Sequence, residues 1–167
     1  MKKTLVIGFG NLHRRDDGAG FVVLNALREE MGRPPLDADD DGYDDLGHGI
    51  DTLLLHQLVP DLAETVAPYD LVIFVDAHVG IIPELLREEE VIARYEATIV
   101  PHQLHPGMVL ALAHELFGSH VRGVLLSIRG YDFDFGEGLS AQTAALVPPA
   151  VTRVLALAGG EQVLRTA

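Results

Sequence analysis

A chain of 167 residues with 48% hydrophobic and 22% charged side chains is long enough to bury one core and has the composition of an ordinary globular domain. It contains no cysteine, which excludes disulfides, thiolate metal sites and a cysteine nucleophile. Twenty-five acidic against twelve basic residues leave a net charge of −13, which repels nucleic acid and welcomes a cation or a basic peptide. The apolar run after Lys2 and Lys3 is too short for an export leader, and no stretch reaches the roughly 20 apolar residues of a membrane span. The expectation is one cytoplasmic domain over residues 1–167, with neither nucleic acid nor membrane as partner.

Short β-branched apolar runs alternate with helical segments, the pattern of an α/β domain with a mostly parallel sheet. Thr4–Ile7 reads as the first strand and leads into Gly8-Phe9-Gly10-Asn11. A helix is expected from about Asp17 to Met31, with Phe21, Leu24, Leu27 and Met31 at helical spacing and Gly32 and Pro34-Pro35 as its stop. Residues 37–45 are rich in Asp and Gly, poor strand formers, and read as an acidic loop with at most a short edge strand. A second helix is expected from Asp51, as its cap, to Leu62, buried through Leu54, Leu55 and Leu58. Leu71–Val75 is a continuous apolar run, the mark of a central strand covered on both faces, and it ends at Asp76. A further strand, nearer an edge, is expected within Glu89–Val100. Pro106 opens and Gly118 closes a third helix, followed by a buried strand over Val121–Ile128. Ser140 caps a C-terminal helix to about Ala158, which Pro148-Pro149 should kink or split.

In open parallel sheets, ligands collect outside the carboxyl ends of the strands. The loop after the first strand supplies Asn11, Asp16 and Asp17 there, the central strand supplies Asp76, and the loop before the third helix supplies His102 and Gln103. Two carboxylates and an imidazole from three segments suit a divalent cation of borderline character with open coordination positions. Asp16 and Asp17 also stand where a helix cap belongs; Asp16 is assigned to the cap and Asp17 to the ligand set. His48, in Gly47-His48-Gly49, and His78 are further candidates for the same rim, and His105 for its surroundings. His13, His56, His114 and His120 read as structural or solvated.

Other chemistries fail on their own residues. Gly8-Phe9-Gly10 begins like a dinucleotide fingerprint, but its third glycine position is His13, and no P-loop lysine follows. His114-Glu115 lacks the second histidine of a zinc-protease helix, and Ser119, Ser127 and Ser140 lie outside any nucleophile elbow. A nucleotide-binding α/β protein stays behind as a minor alternative.

Four segments together resemble the hydrogenase maturation endopeptidases. They are Gly8-Phe9-Gly10-Asn11 with Asp16-Asp17-Gly18-Ala19-Gly20, then Val75-Asp76-Ala77, Pro101-His102-Gln103-Leu104, and Gly136-Glu137-Gly138-Leu139-Ser140. The resemblance spans residues 3–158 and implies a three-layer α/β/α sandwich with about five mostly parallel strands. It implies an endopeptidase that removes a C-terminal extension from the large-subunit precursor of a [NiFe] hydrogenase after nickel insertion, without a serine or cysteine nucleophile. Nickel then arrives with the substrate and marks it as ready, while other divalent cations can occupy the site in the isolated protein. By position, the resemblance assigns metal binding and catalysis to Asp17, Asp76 and His102, with Asn11, Asp16, His48 and Gln103 around them. Its glycine-rich turn between second strand and helix falls on Gly47-His48-Gly49, where His48 departs from the pattern. The alternative from another class is a chaperone that binds nickel and precursor without cutting.

Overall fold

A computed structural model describes residues 2–95 and 104–164. Five strands form one sheet: β1 (Thr4–Phe9), β2 (Ile50–Leu55), β3 (Leu71–His78), β4 (Leu86–Val91) and β5 (Arg122–Arg129), in the order β2-β1-β3-β5-β4. The first four in that order run parallel, and β4 closes the far edge antiparallel to β5. The two-residue period of the strands sorts their apolar side chains onto two faces. Leu5, Ile7, Val72 and Phe74 pack against α2 (Leu62–Val66) and α3 (Pro106–Phe117). Val6, Ile73, Val75 and Leu126 pack against α1 (Ala19–Glu30) and α5 (Val147–Ala158). This is the expected three-layer α/β/α sandwich.

The central strand, the third helix and the split of the C-terminal helix match the sequence reading. α4 (Ala141–Ala144) ends before α5, whose first turn holds Pro148, where a missing N–H costs nothing. Ser140 caps α4, accepting from the Thr143 amide. Gly118 closes α3 at a left-handed φ of 64°.

The second strand is a correction. It is not in the acidic segment, where the described backbone holds only a short 3-10 turn over Tyr43–Asp45, but at Ile50–Leu55, the stretch expected to be helical. Leu54, Leu55 and Leu58 happen to share helical spacing, and six residues are too few for periodicity to decide. Asp51 is therefore not a helix cap. It lies buried within β2 and accepts hydrogen bonds from the Gly47 and His48 amides and the Tyr69 hydroxyl. The edge strand is also shifted: β4 ends at Val91, and residues 96–100 of the expected range lie outside the described residues. Its run Arg87-Glu88-Glu89-Glu90 has poor strand propensity, but buried Glu88 takes two hydrogen bonds from Arg153 of α5, at 2.6 and 2.9 Å.

The acidic segment is tied down by Arg28 of α1, only 2% exposed. Its guanidinium donates to the Pro34 carbonyl, the Thr52 hydroxyl and Asp45, at 2.7, 2.8 and 2.7 Å. Arg28→Ala would strip the partner from the buried Thr52 hydroxyl, release the segment at Pro34 and Asp45, and leave a cavity. It is expected to cost about 3 kcal/mol in urea unfolding; a loss under about 1 kcal/mol would mean the segment is held otherwise.

Candidate active site

The chain leaves β1 through α1 to reach β2 on one side, then passes through α2 to β3 on the other side. Strand order therefore reverses between β1 and β3, and a crevice opens outside their carboxyl ends. Asp76 follows the buried stretch of β3, and Asp17 lies on a 3-10 turn (Arg15–Gly18) that follows β1 and packs on β3. That close approach is a property of glycine. A Cβ on Gly20 would sit 2.6 Å from the Val75 carbonyl oxygen, and one on Gly10, at φ 147°, 2.1 Å from the Asp17 carbonyl oxygen. The Asn11 amide donates to Asp17 Oδ2 at 2.8 Å, and the Asn11 side chain in turn accepts from the His13 amide.

Asp76 is the electrostatically unusual member of the pair. Burial pushes its carboxyl up to about 7, the Asp17 and Glu89 carboxylates add to this, and the Ser127 hydroxyl opposes it. Its Oδ1 is buried, and among the described residues nothing donates to it. A buried carboxylate oxygen without a donor, beside a second carboxylate, is a poor arrangement for stability and a good one for receiving a cation. No group of three metal-binding side chains exists among the described residues. His102 and Gln103 lie outside those residues, so the pair Asp17/Asp76 is what the described part of the rim offers.

Asp16 has a different role from the cap the sequence suggested. The 3-10 turn and α1 carry no side-chain cap, and the Asp16 carboxylate points away into the protein, fully buried. It accepts from the amides of Tyr131, Asp132 and Ser140 and from the hydroxyls of Ser140 and Thr143, all within 2.9 Å. Burial alone would raise its pKa, but these hydrogen bonds, led by the Ser140 hydroxyl, outweigh it and hold the carboxyl at about 2.

The remaining histidines separate cleanly. Gly47-His48-Gly49 precedes β2, at the amino end of the sheet, so His48 stands opposite the crevice and pairs with Asp45. His78 is near the crevice, but both ring nitrogens are used: Nδ1 accepts from the Gly80 amide and Nε2 donates to the Glu84 carbonyl. Burial keeps its pKa below the usual imidazole value, consistent with a neutral ring that organises the β3–β4 loop. His105 is the cap of α3, accepting from the Gly107 amide at 3.1 Å. His56, assigned no part from the sequence, immediately follows β2 at the crevice end and lines a cavity of about 350 Å³ with Asp17, Phe9, Phe21 and Asp39–Asp41. Placing the second strand correctly is the signal that would have found it.

No protein-family model and no curated protein matches the chain. Solved structures do. The hydrogenase maturating endopeptidase HybD from E. coli superposes with a TM-score of 0.70 at 24% identity, over 93% of this chain and 91% of its own. The hydrogenase 2 maturation peptidase from a Thaumarchaeota archaeon gives 0.63 at 21%, over 96% and 100%. The [NiFe] hydrogenase maturation protease HycI from Thermococcus kodakarensis gives 0.62 at 20%, over 95% and 94%. The chain thus shares the fold of these hydrogenase maturation endopeptidases.

Proposed function

We propose that this protein is an endopeptidase that removes the C-terminal extension of a [NiFe] hydrogenase large-subunit precursor after nickel has been inserted. The observation that carries this reading is the buried, donor-free Oδ1 of Asp76 beside Asp17, at the switch point of a sheet whose fold is that of maturation endopeptidases. The donor set fits nickel arriving on the substrate: two carboxylates here, with His102 as the third ligand, leave positions for the groups by which the precursor already holds the metal. Bound in this way, the nickel supplies recognition and can polarise a neighbouring carbonyl.

The chain's own residues do the rest. Asp17, oriented by the Asn11 amide, faces the cavity bordered by His56 and Asp39–Asp41, which has room for residues flanking the scissile bond. Asp76, with its raised pKa, is poised either to accept a cation as a carboxylate or to hold a proton near neutral pH. Hydrolysis without a covalent intermediate is consistent with a chain that lacks cysteine.

Asp17→Ala, Asp76→Ala and His102→Ala are each expected to abolish trimming of the precursor, followed by intact mass, while circular dichroism stays that of the folded protein. Wild-type levels of trimming in any one folded variant would remove that residue from the site. Binding of nickel-loaded precursor without any trimming by the wild type would favour the chaperone alternative.

A further inference from the structure

The turn that carries Asp17 is held from an unexpected direction. Arg15, which opens it, has a left-handed φ of 43°, a conformation that a side-chain-bearing residue keeps only when its surroundings impose it. The surroundings are the loop between β5 and α4. The Arg15 amide donates to the Gly136 carbonyl, the Asp16 amide to the Asp132 carbonyl, the Gly136 amide to the His13 carbonyl, and the Arg14 side chain to the Phe133 carbonyl. At the centre lies the Asp16 carboxylate with its five donors, more than 110 residues away in sequence and all from residues 131–143.

A structural tether would need only part of this. The backbone bonds already close the loop on the turn, yet the chain also buries an acid completely next to the ligand-bearing residue. Successive residues of a 3-10 turn point in different directions, so fixing Asp16 inward fixes Asp17 outward, toward the crevice. We infer that Asp16 is a positioning residue: through the Ser140 and Thr143 hydroxyls and the amides of the β5–α4 loop, it sets the direction in which Asp17 presents its carboxylate to the incoming metal. The inference rests on the proposed function for the identity of that metal and deepens it by adding a support outside the ligand set.

The test removes donors rather than Asp16 itself, so that the fold survives. Ser140→Ala combined with Thr143→Val touches no ligand and leaves three amides on the carboxylate. Ni²⁺ alone is titrated calorimetrically into the full-length protein, with Asp17→Ala as the reference for lost binding, and trimming of nickel-loaded precursor is followed in parallel. The double variant is expected to bind Ni²⁺ about tenfold more weakly and to lose a similar factor in kcat/KM, as changes behind a metal ligand commonly do. Val154→Ala, a core change in α5, serves as the stability-matched control and should move neither value. Nickel affinity and kcat/KM within about twofold of wild type, despite a melting temperature lowered like that of the control, would overturn the inference. If the wild type binds Ni²⁺ through Asp17 but trims no precursor, the proposed function fails, while the positioning role is still decided by the affinities. A wild type without Asp17-dependent nickel uptake overturns the inference, while the proposed function is decided by the trimming of nickel-loaded precursor.

Discussion

Asp16→Ala is expected to lower the free energy of unfolding by about 4 kcal/mol, several times the roughly 1 kcal/mol of a lost helix cap. The alanine would leave three amides and two hydroxyls facing a void in a region with no access to water, because Asp16 is 0% exposed. All of those donors but the Thr143 hydroxyl of α4 belong to the β5–α4 loop, so that loop should loosen first, seen as faster amide exchange over residues 131–140. The carboxyl's pKa of about 2, below the ordinary carboxylate value, means that its contribution is fully present above that ordinary value. It is lost only as pH falls through about 2. Urea unfolding at neutral pH checks the size; a loss near 1 kcal/mol would return Asp16 to a capping role.

Asp76 should behave in the opposite sense. Its folded pKa of about 7 lies above the ordinary value of 3.8, so the folded state prefers the protonated acid. Stability from this group is complete below the ordinary value and is lost as pH rises through about 7. Asp76→Asn keeps the shape and removes the charge. It should therefore raise stability over wild type at about pH 8, approaching 4 kcal/mol from roughly three pKa units, and give little gain at about pH 4. A gain of the same size at both pH values would show that the asparagine acts through packing and not through the buried charge. The same variant should not trim precursor, an instance of a site residue that costs stability where it serves function.

Local chemistry carried most of the architecture into the sequence. The continuous run Leu71–Val75 announces a doubly covered strand, and the Pro106 and Gly118 pair brackets a helix, because each depends on backbone properties of residues close in the chain. β2 was illegible because its leucines fit two periods, and because Asp51 looks like a cap until its partners are known. Those partners include the Tyr69 hydroxyl, 18 residues away. His48 was placed at the crevice only by assuming where that strand lay, and the shift of β2 exchanges it for His56.

The site was legible as positions but not as roles. Asp17 and Asp76 could be assigned to the carboxyl ends of strands from the strand pattern alone. What distinguishes Asp16 from its neighbour is a set of donors 115 to 127 residues away, which no local rule reports. His78 likewise sits two residues past Asp76, yet its two ring nitrogens are both committed to loop backbone.

The central claim is that the crevice reads nickel on a hydrogenase precursor before cutting. Purified protein would be mixed with nickel-loaded and nickel-free forms of the large-subunit precursor encoded nearest its gene, and the C-terminus followed by intact mass. Trimming of the loaded form alone, lost in His102→Ala, is the predicted result. Equal trimming of both forms would contradict the metal check, and trimming of neither would contradict the claim for that precursor altogether.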